Sequence, residues 1–454
     1  MQKCKLLCWK RAKGDRVYQL ASSGRHRFTN TDMIDLPLEI CLLLCFLGSL
    51  CVASFLNLAI YRLAWNQRNI SPWSPSPTGF ATRTIWDRIP VLGWLRLRRE
   101  SSVWGSGFWI RPMLLELSFA VAVVAIYLHA FNAEGLYFIE HDAIESVDID
   151  FVLSRFLTHL IFLSLLVIVT FIDIDEKTIP DNVTLPGTLL GLLLVTLNPW
   201  TLPISETIRI DQQIYLSWTH VAAPDVYPVG EFTPGGLGLA LGCLWLWIFA
   251  LLPRFWHGDY GFKRAWKYFW ASLFCHRYRR QTYGLLGVGF VLTLGIWLVA
   301  SQGGRAWVAL ISSLAGMASG TLLIWSVRLV GRATLKREAM GFGDVTLMAM
   351  IGSFLGWQAT LVVFFLAPVA GLAVGLVLLT IHREDEVPYG PFLCIGAVVT
   401  LMCWSSLWSY LEPIFSTFGS ILPVLLLLCL SLMTLLLAVW AKLKKRFLTS
   451  PPQA

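Results

Sequence analysis

Eleven apolar runs divide the chain, at 36–63, 112–131, 151–172, 183–197, 236–252, 284–300, 307–330, 345–355, 359–381, 388–410 and 421–440. About 20 apolar residues carry a helix across the hydrocarbon core of a bilayer. Two runs, 183–197 and 345–355, are shorter, as spans enclosed by other helices can be. Of the 454 residues 56% are hydrophobic and 14% charged, against about 25% charged in a soluble domain. Such a chain has too little polar surface to cover itself in water, so its outer face needs a lipid bilayer. The expected fold is all-α, a polytopic transmembrane bundle of about 10–11 membrane helices, with a cytoplasmic loop domain after the first. The 21 Trp suit the membrane–water interfaces.

Charge orients the runs. Residues 64–110 hold Arg68, Arg83, Arg88, Arg96, Arg98 and Arg99 against Asp87 and Glu100. Residues 131–150 hold Glu134, Glu140, Asp142, Glu145, Asp148 and Asp150 and no Lys or Arg, and residues 199–234 are also acidic. Residues 254–283 turn basic again, as does the tail with Lys442, Lys444, Lys445 and Arg446. Basic loops stay in the cytoplasm. The 64–110 loop, the 254–283 loop and the C-terminus are therefore expected inside, and the net charge of +8 reflects sidedness rather than a nucleic-acid partner. Residues 1–32 are basic and non-periodic, yet this topology puts them outside. A start at Met33 removes the conflict and leaves an external end bearing Asp35 and Glu39.

The ten Cys form no C-x-x-C pair, which excludes a zinc knuckle or a disulfide framework. His141, His220, His257 and His276 are dispersed and read as interface residues. Arg62 and Glu116 could face each other, or form a salt bridge at a helix end.

Two acidic segments stand out. Phe171-Ile-Asp-Ile-Asp-Glu-Lys-Thr-Ile-Pro-Asp181 ends one apolar run and, at Pro180, opens the next. Asp173 then sits at a cytoplasmic helix end. Met340-Gly-Phe-Gly-Asp-Val345 precedes another run, and its two glycines, Gly341 and Gly343, permit backbone conformations closed to other residues. Asp344 then stands at a helix N-terminus, where the dipole favours its anion. Each segment alone is also an ordinary helix end. In the deduced topology both acids face the cytoplasm. Two carboxyls that approach closely share a proton, so one can activate water while the other protonates an amide. Intramembrane acids also mark proton pathways, so a proton-coupled transporter or channel is the alternative. A catalytically inactive scaffold is a third reading.

The segments resemble the type IV prepilin peptidases. Gly341-Phe-Gly-Asp344 is similar to the G-x-G-D motif of intramembrane aspartic peptidases, and Phe171 to Asp181 to the first catalytic segment of the prepilin enzymes. Ser54-Phe-Leu-Asn57 resembles part of the family's first helix. Ile89-Pro-Val-Leu-Gly-Trp94, Arg111-Pro-Met-Leu-Leu-Glu116 and Val387-Pro-Tyr-Gly-Pro-Phe392 follow in family order. The resemblance implies a bacterial inner-membrane aspartic endopeptidase with Asp173 and Asp344 catalytic, supported by Gly341, Gly343, Pro180 and Asp181. Its substrates would be type IV prepilins or type II secretion pseudopilins, cleaved at the cytoplasmic face. Many members then methylate the new N-terminus with S-adenosylmethionine.

Three departures accompany the resemblance. The family often carries two C-x-x-C pairs suited to a thiolate zinc site. Here those places read Ser76-Pro-Thr-Gly79 and Ser101-Ser-Val-Trp104, so no zinc is expected. The loop is instead expected to be held by Ile-Pro and aromatic packing, with Trp65, Trp73, Trp86, Trp94, Trp104 and Trp109 as candidates. Residues 200–305 read as an insertion with two extra spans, and 412–454 as an extra C-terminal helix with a basic tail. The expected organisation is a tail at 1–35, the first helix at 36–63, the loop at 64–110, and core segments at 111–199 and 306–411.

Overall fold

The computed structural model describes residues 37–131, 149–210, 213–223, 234–252, 263–264, 267, 270–271, 279–335, 340–381, 388–419 and 421–448. The reading of residues 1–32 and of Met33 lies outside them. The apolar runs form α1 (Leu38–Leu63), α2 (Ile110–Phe131), α3 (Ile149–Glu176), α4 (Asp181–Leu197), α5 (Pro234–Leu251), α6 (Arg279–Gln302), α7 (Gly304–Leu335), α8 (Phe342–Ile381), α9 (Gly390–Met402), α10 (Trp404–Phe418) and α11 (Leu422–Leu448). Apart from one short β-hairpin the described elements are helical, and the chain is a multi-pass membrane protein. Among the described residues six helices are long and apolar enough to cross a membrane, or seven if α9 and α10, bent by 89°, make one span. That is fewer than expected, because α4, α5 and the apolar part of α11 are short and two of the runs join in α8.

Forty helical residues would extend about 60 Å, twice the hydrocarbon thickness of about 30 Å. Gly356 interrupts α8 with φ 77° and ψ 171°, a conformation suited to a residue without Cβ. The break falls between the two runs at 345–355 and 359–381.

A β-hairpin was not expected. Strands β1 (Ile204–Ile210) and β2 (Gln213–Trp218) pair antiparallel, with an irregularity between Ile204 and Glu206. Their β-branched, alternating residues carry a period-2 signal, which the acidic character of 199–234 overshadowed.

The chain divides into two compact units. In the first (Met1–Gly187, Ile204–Trp218, Ala367–Leu411), α1 packs against α2 and α3, and α3 against α9. In the second (Thr188–Pro203, Thr219–Leu366, Glu412–Ala454), α7 packs against α5 and α11, and α5 against α6.

Close helix approach in the second unit depends on small residues. A Cβ on Gly316 of α7 would lie 2.1 Å from the Gly352 carbonyl oxygen of α8, and one on Gly320 2.3 Å from that of Met348. The Ser313 hydroxyl donates to the Ser353 carbonyl across the same seam. Lipid gives two helices no hydrophobic reason to associate, so backbone approach of this small-xxx-small kind holds them. On α4, a Cβ on Gly191 would lie 2.3 Å from Ser353 Oγ, which sets a third helix against α8.

Candidate active site

In the first unit the end of α3 carries three acids with three surroundings. Asp175 pairs with Arg111 at 2.5 Å, and the same guanidinium lies 5.0 Å from the Phe171 ring centroid. Glu176 accepts from the backbone N–H groups of Trp65 and Asn66, at 2.7 and 2.8 Å, so it ties down the chain leaving α1. Asp173 is 4% exposed and has no ion-pair partner among the described residues. Its Oδ2 accepts from the Gly390 N–H at 3.1 Å. Gly390 opens α9, followed by Pro391, so the carboxyl lies at a helix N-terminus, where an anion is favoured.

Gly390 was read only as part of a motif, and the structure makes it a partner of Asp173. A Cβ there would fall 2.4 Å from Asp173 Oδ2 and 3.0 Å from Ile179 Cδ1. The missing side chain is what lets the backbone N–H reach the carboxyl. Pro180 follows Ile179, and its carbonyl accepts from the Val183 and Thr184 N–H groups as α4 begins. Asp181 is exposed in the first turn of α4.

In the second unit Asp344 is 7% exposed in the first turn of α8. Neither Gly341 nor Gly343 has positive φ. Gly341 lies beside the acid, and a Cβ there would make an ordinary contact, 3.5 Å from Asp344 Oδ2. Gly343 lies within the helix, and its carbonyl accepts from the Thr346 hydroxyl at 3.0 Å. The Arg328 guanidinium of α7 lies 5.5 Å from the Phe342 ring centroid, so a cation stands near the start of α8.

The 64–110 loop is built round Glu116. This buried carboxylate accepts from Asn57 Nδ2 at 3.1 Å, the Val91 N–H at 2.6 Å and Trp94 Nε1 at 2.9 Å. It joins α1, α2 and the Ile-Pro segment through neutral donors. Arg62, the partner considered from sequence, is exposed. Val91 has φ 64° and ψ −59°, with Leu92 N–H bonded to the Pro90 carbonyl at 2.7 Å. This is a strained γ-turn for a β-branched residue, and the Glu116 bond secures it. Gly93 is needed next, because a Cβ there would lie 2.1 Å from the Asp87 carbonyl oxygen.

Trp94 and Leu97 pack with Tyr61 and Ile70, and Trp104, Phe108 and Trp109 lie against them. Of the six tryptophans expected to hold the loop, Trp65 is 90% exposed, and Trp73 and Trp86 are exposed too. Polar contacts supply much of the rest. Asp87 binds Arg96 at 3.1 Å and Arg99 at 2.9 Å, together with the Thr84 N–H and hydroxyl. Burial pushes the Asp87 pKa up, but the Thr84 N–H, the two arginines and the Thr84 hydroxyl outweigh it and hold it at about 2. His220, read as an interface residue, is buried, and its ring Nδ1 accepts from the Ala222 N–H at 3.2 Å. His141, His257 and His276 lie outside the described residues.

Known proteins match two stretches of the chain. Residues 47–130 match the Bacterial Peptidase A24 N-terminal domain, and residues 278–376 the Type IV leader peptidase family. The first stretch holds Asn57, the Ile89–Trp94 segment and Glu116, and the second holds Asp344. Asp173 and Gly390 lie outside both. The chain is 34% identical over 103 residues to the prepilin leader peptidase/N-methyltransferase of Aeromonas hydrophila, covering 22% of this chain and 36% of that protein. To the protein of the same name from Burkholderia pseudomallei (strain K96243) it is 38% identical over 93 residues, 20% and 30% of the two chains. To that of Pseudomonas putida it is 31% identical over 113 residues, 24% and 39%. The alignments thus span between 30% and 39% of these relatives' lengths. No solved structure matches. Over these two stretches the chain is similar to type IV prepilin peptidases.

Proposed function

We propose that this protein is a membrane-embedded aspartic endopeptidase that removes the leader of type IV prepilins or type II secretion pseudopilins. The observation that carries the reading is the state of Asp173. It is enclosed and lacks an ion-pair partner among the described residues, while Asp175 and Glu176 beside it are engaged in holding the fold. An acid kept in that way is available for proton transfer.

In this reading Asp173 and Asp344 share one proton. The ionised member takes a proton from the attacking water, and the protonated member gives one to the leaving amide nitrogen. A prepilin leader is short and basic and is followed by an apolar helix, so its cleavage site lies at the membrane face. The basic 64–110 and 254–283 loops support a cytoplasmic site in the bacterial inner membrane, by the positive-inside preference.

The relatives' name also carries N-methylation, which would draw on S-adenosylmethionine. Asp87, Glu100 and Glu116, the acids of residues 64–116, are all engaged in internal hydrogen bonds. These three acids are buried and hold the loop together.

The test is co-expression with a prepilin and mass measurement of leader removal. Asp173→Asn and Asp344→Asn should each lower cleavage by several orders of magnitude, as loss of one member of a catalytic unit does, with the protein still inserted. Near-normal cleavage by either variant would overturn the assignment.

A further inference from the structure

The resemblance implies, for many members of the family, two C-x-x-C pairs around the Ile-Pro segment, and the corresponding places here hold Ser76, Gly79, Ser101 and Trp104. They do not fit a zinc ion, which takes thiolate, imidazole or carboxylate ligands. Gly79 has no side chain. The Ser101 hydroxyl donates to the Arg98 carbonyl, and the Trp104 indole N–H donates to Glu100 at 3.2 Å. Among the described residues no three His, Cys, Asp or Glu side chains gather as a metal site would require.

An ion pair lies between the same two stretches. Arg83, four residues after Gly79, meets Glu100, one residue before Ser101. The contact is two-pronged, Nε to Oε1 at 3.1 Å and Nη2 to Oε2 at 2.6 Å. The side chains are 3% and 0% exposed. The remaining Arg83 nitrogen donates to the Ser71 and Ser74 carbonyls, at 2.9 Å for Ser74. One guanidinium thus fastens the stretch before Ser76 to the stretch that begins at Ser101. Its planar fork suits this, offering directed donors to a carboxylate and to carbonyls at once.

We infer that the buried Arg83–Glu100 pair, with Trp104, does in this chain what a thiolate-bound metal does for such a loop, so the 64–110 loop folds and works without metal. Both devices join the same segments, but they respond to different reagents. A thiolate site yields to chelators and oxidants. A buried ion pair is indifferent to both and depends on each partner's charge. Removing one partner strands the other charge away from water, whereas replacing both by apolar groups of similar volume does not.

The experiment is hydrogen exchange on the full-length protein in detergent, followed over residues 64–110 with α7 and α8 as internal controls. Its readout is loop protection, so it stands or falls apart from the peptidase assignment. A chelator wash should leave protection unchanged. Arg83→Met and Glu100→Met should each lower it by roughly a hundredfold or more, the scale on which breaking a buried pair acts. The double variant Arg83→Met/Glu100→Met should recover at least about tenfold of that loss. Loss of protection on chelation would overturn the inference. So would single variants that leave the loop unchanged, or a double variant no better than the worse single one.

Discussion

Whether a glycine matters for stability or for chemistry depends on what its missing Cβ would strike. At Gly390 the nearest atom is the end of the Asp173 side chain, which can move aside at little expense to the fold. Gly390→Ala should therefore leave the thermal midpoint close to that of the native protein. Leader cleavage should fall about a hundredfold, the effect of misplacing a reacting group by an ångström. Parallel melting and cleavage assays check this. At Asp87 the consequence concerns pH. Its folded pKa of about 2 lies below the ordinary carboxylate value, so its contribution is fully present above pH about 4 and is lost as pH falls toward 2. Screened by solvent, that contribution is on the order of 1–2 kcal/mol. Limited proteolysis of the 64–110 loop should accelerate over that window, and Asp87→Asn should cut at a nearly constant rate across it. Asp173 and Asp344 were legible in the sequence because each stands where an apolar run meets a Pro or Gly signal. The partner of Asp173 was not, since 217 residues separate it from Gly390. Nor was the Arg83–Glu100 pair, which is two charges among many in a basic loop.

At the scale of elements, α7 and α8 meet backbone to backbone. A Cβ at Gly316 would strike the Gly352 carbonyl oxygen at 2.1 Å, and a backbone has no side-chain end to yield. Gly316→Ala should destabilise the protein by about 1–3 kcal/mol, as overpacking does, and Gly320→Ala similarly. Unfolding titration in mixed detergent micelles would read both. The apolar runs made most helices visible in advance. The joining of two runs in α8 was not visible, because hydropathy does not distinguish a break at Gly356 from a loop. Gly341 and Gly343 make no use of positive φ, whereas Gly356 in the same helix does. A glycine's presence shows where freedom is available, and only packing shows where it is used.

For the whole molecule, the expected sidedness rests on the charge of the loops. In a background without native cysteines, Lys267→Cys should react with an impermeant thiol reagent only from the cytoplasmic side. Glu140→Cys should react only from outside. The opposite pattern at either position would invert the topology. The basic and acidic loops were readable from composition because lysine and arginine resist translocation wherever they fall in the fold.

The break in α8 has one more consequence. Trp357 Nε1 donates to the Val221 carbonyl at 2.9 Å, and Gln358 Nε2 to the His220 carbonyl at 2.7 Å. The segment just past the hairpin thus holds the start of the second half of α8, immediately after the discontinuity at Gly356. Residues read as an insertion are therefore woven into the helix that begins with Asp344. Such a segment is not a detachable ornament: excising it to recover a shorter ancestral outline would leave the indole and amide donors of α8 facing lipid or empty space. Helix and segment therefore hold their shape as one piece.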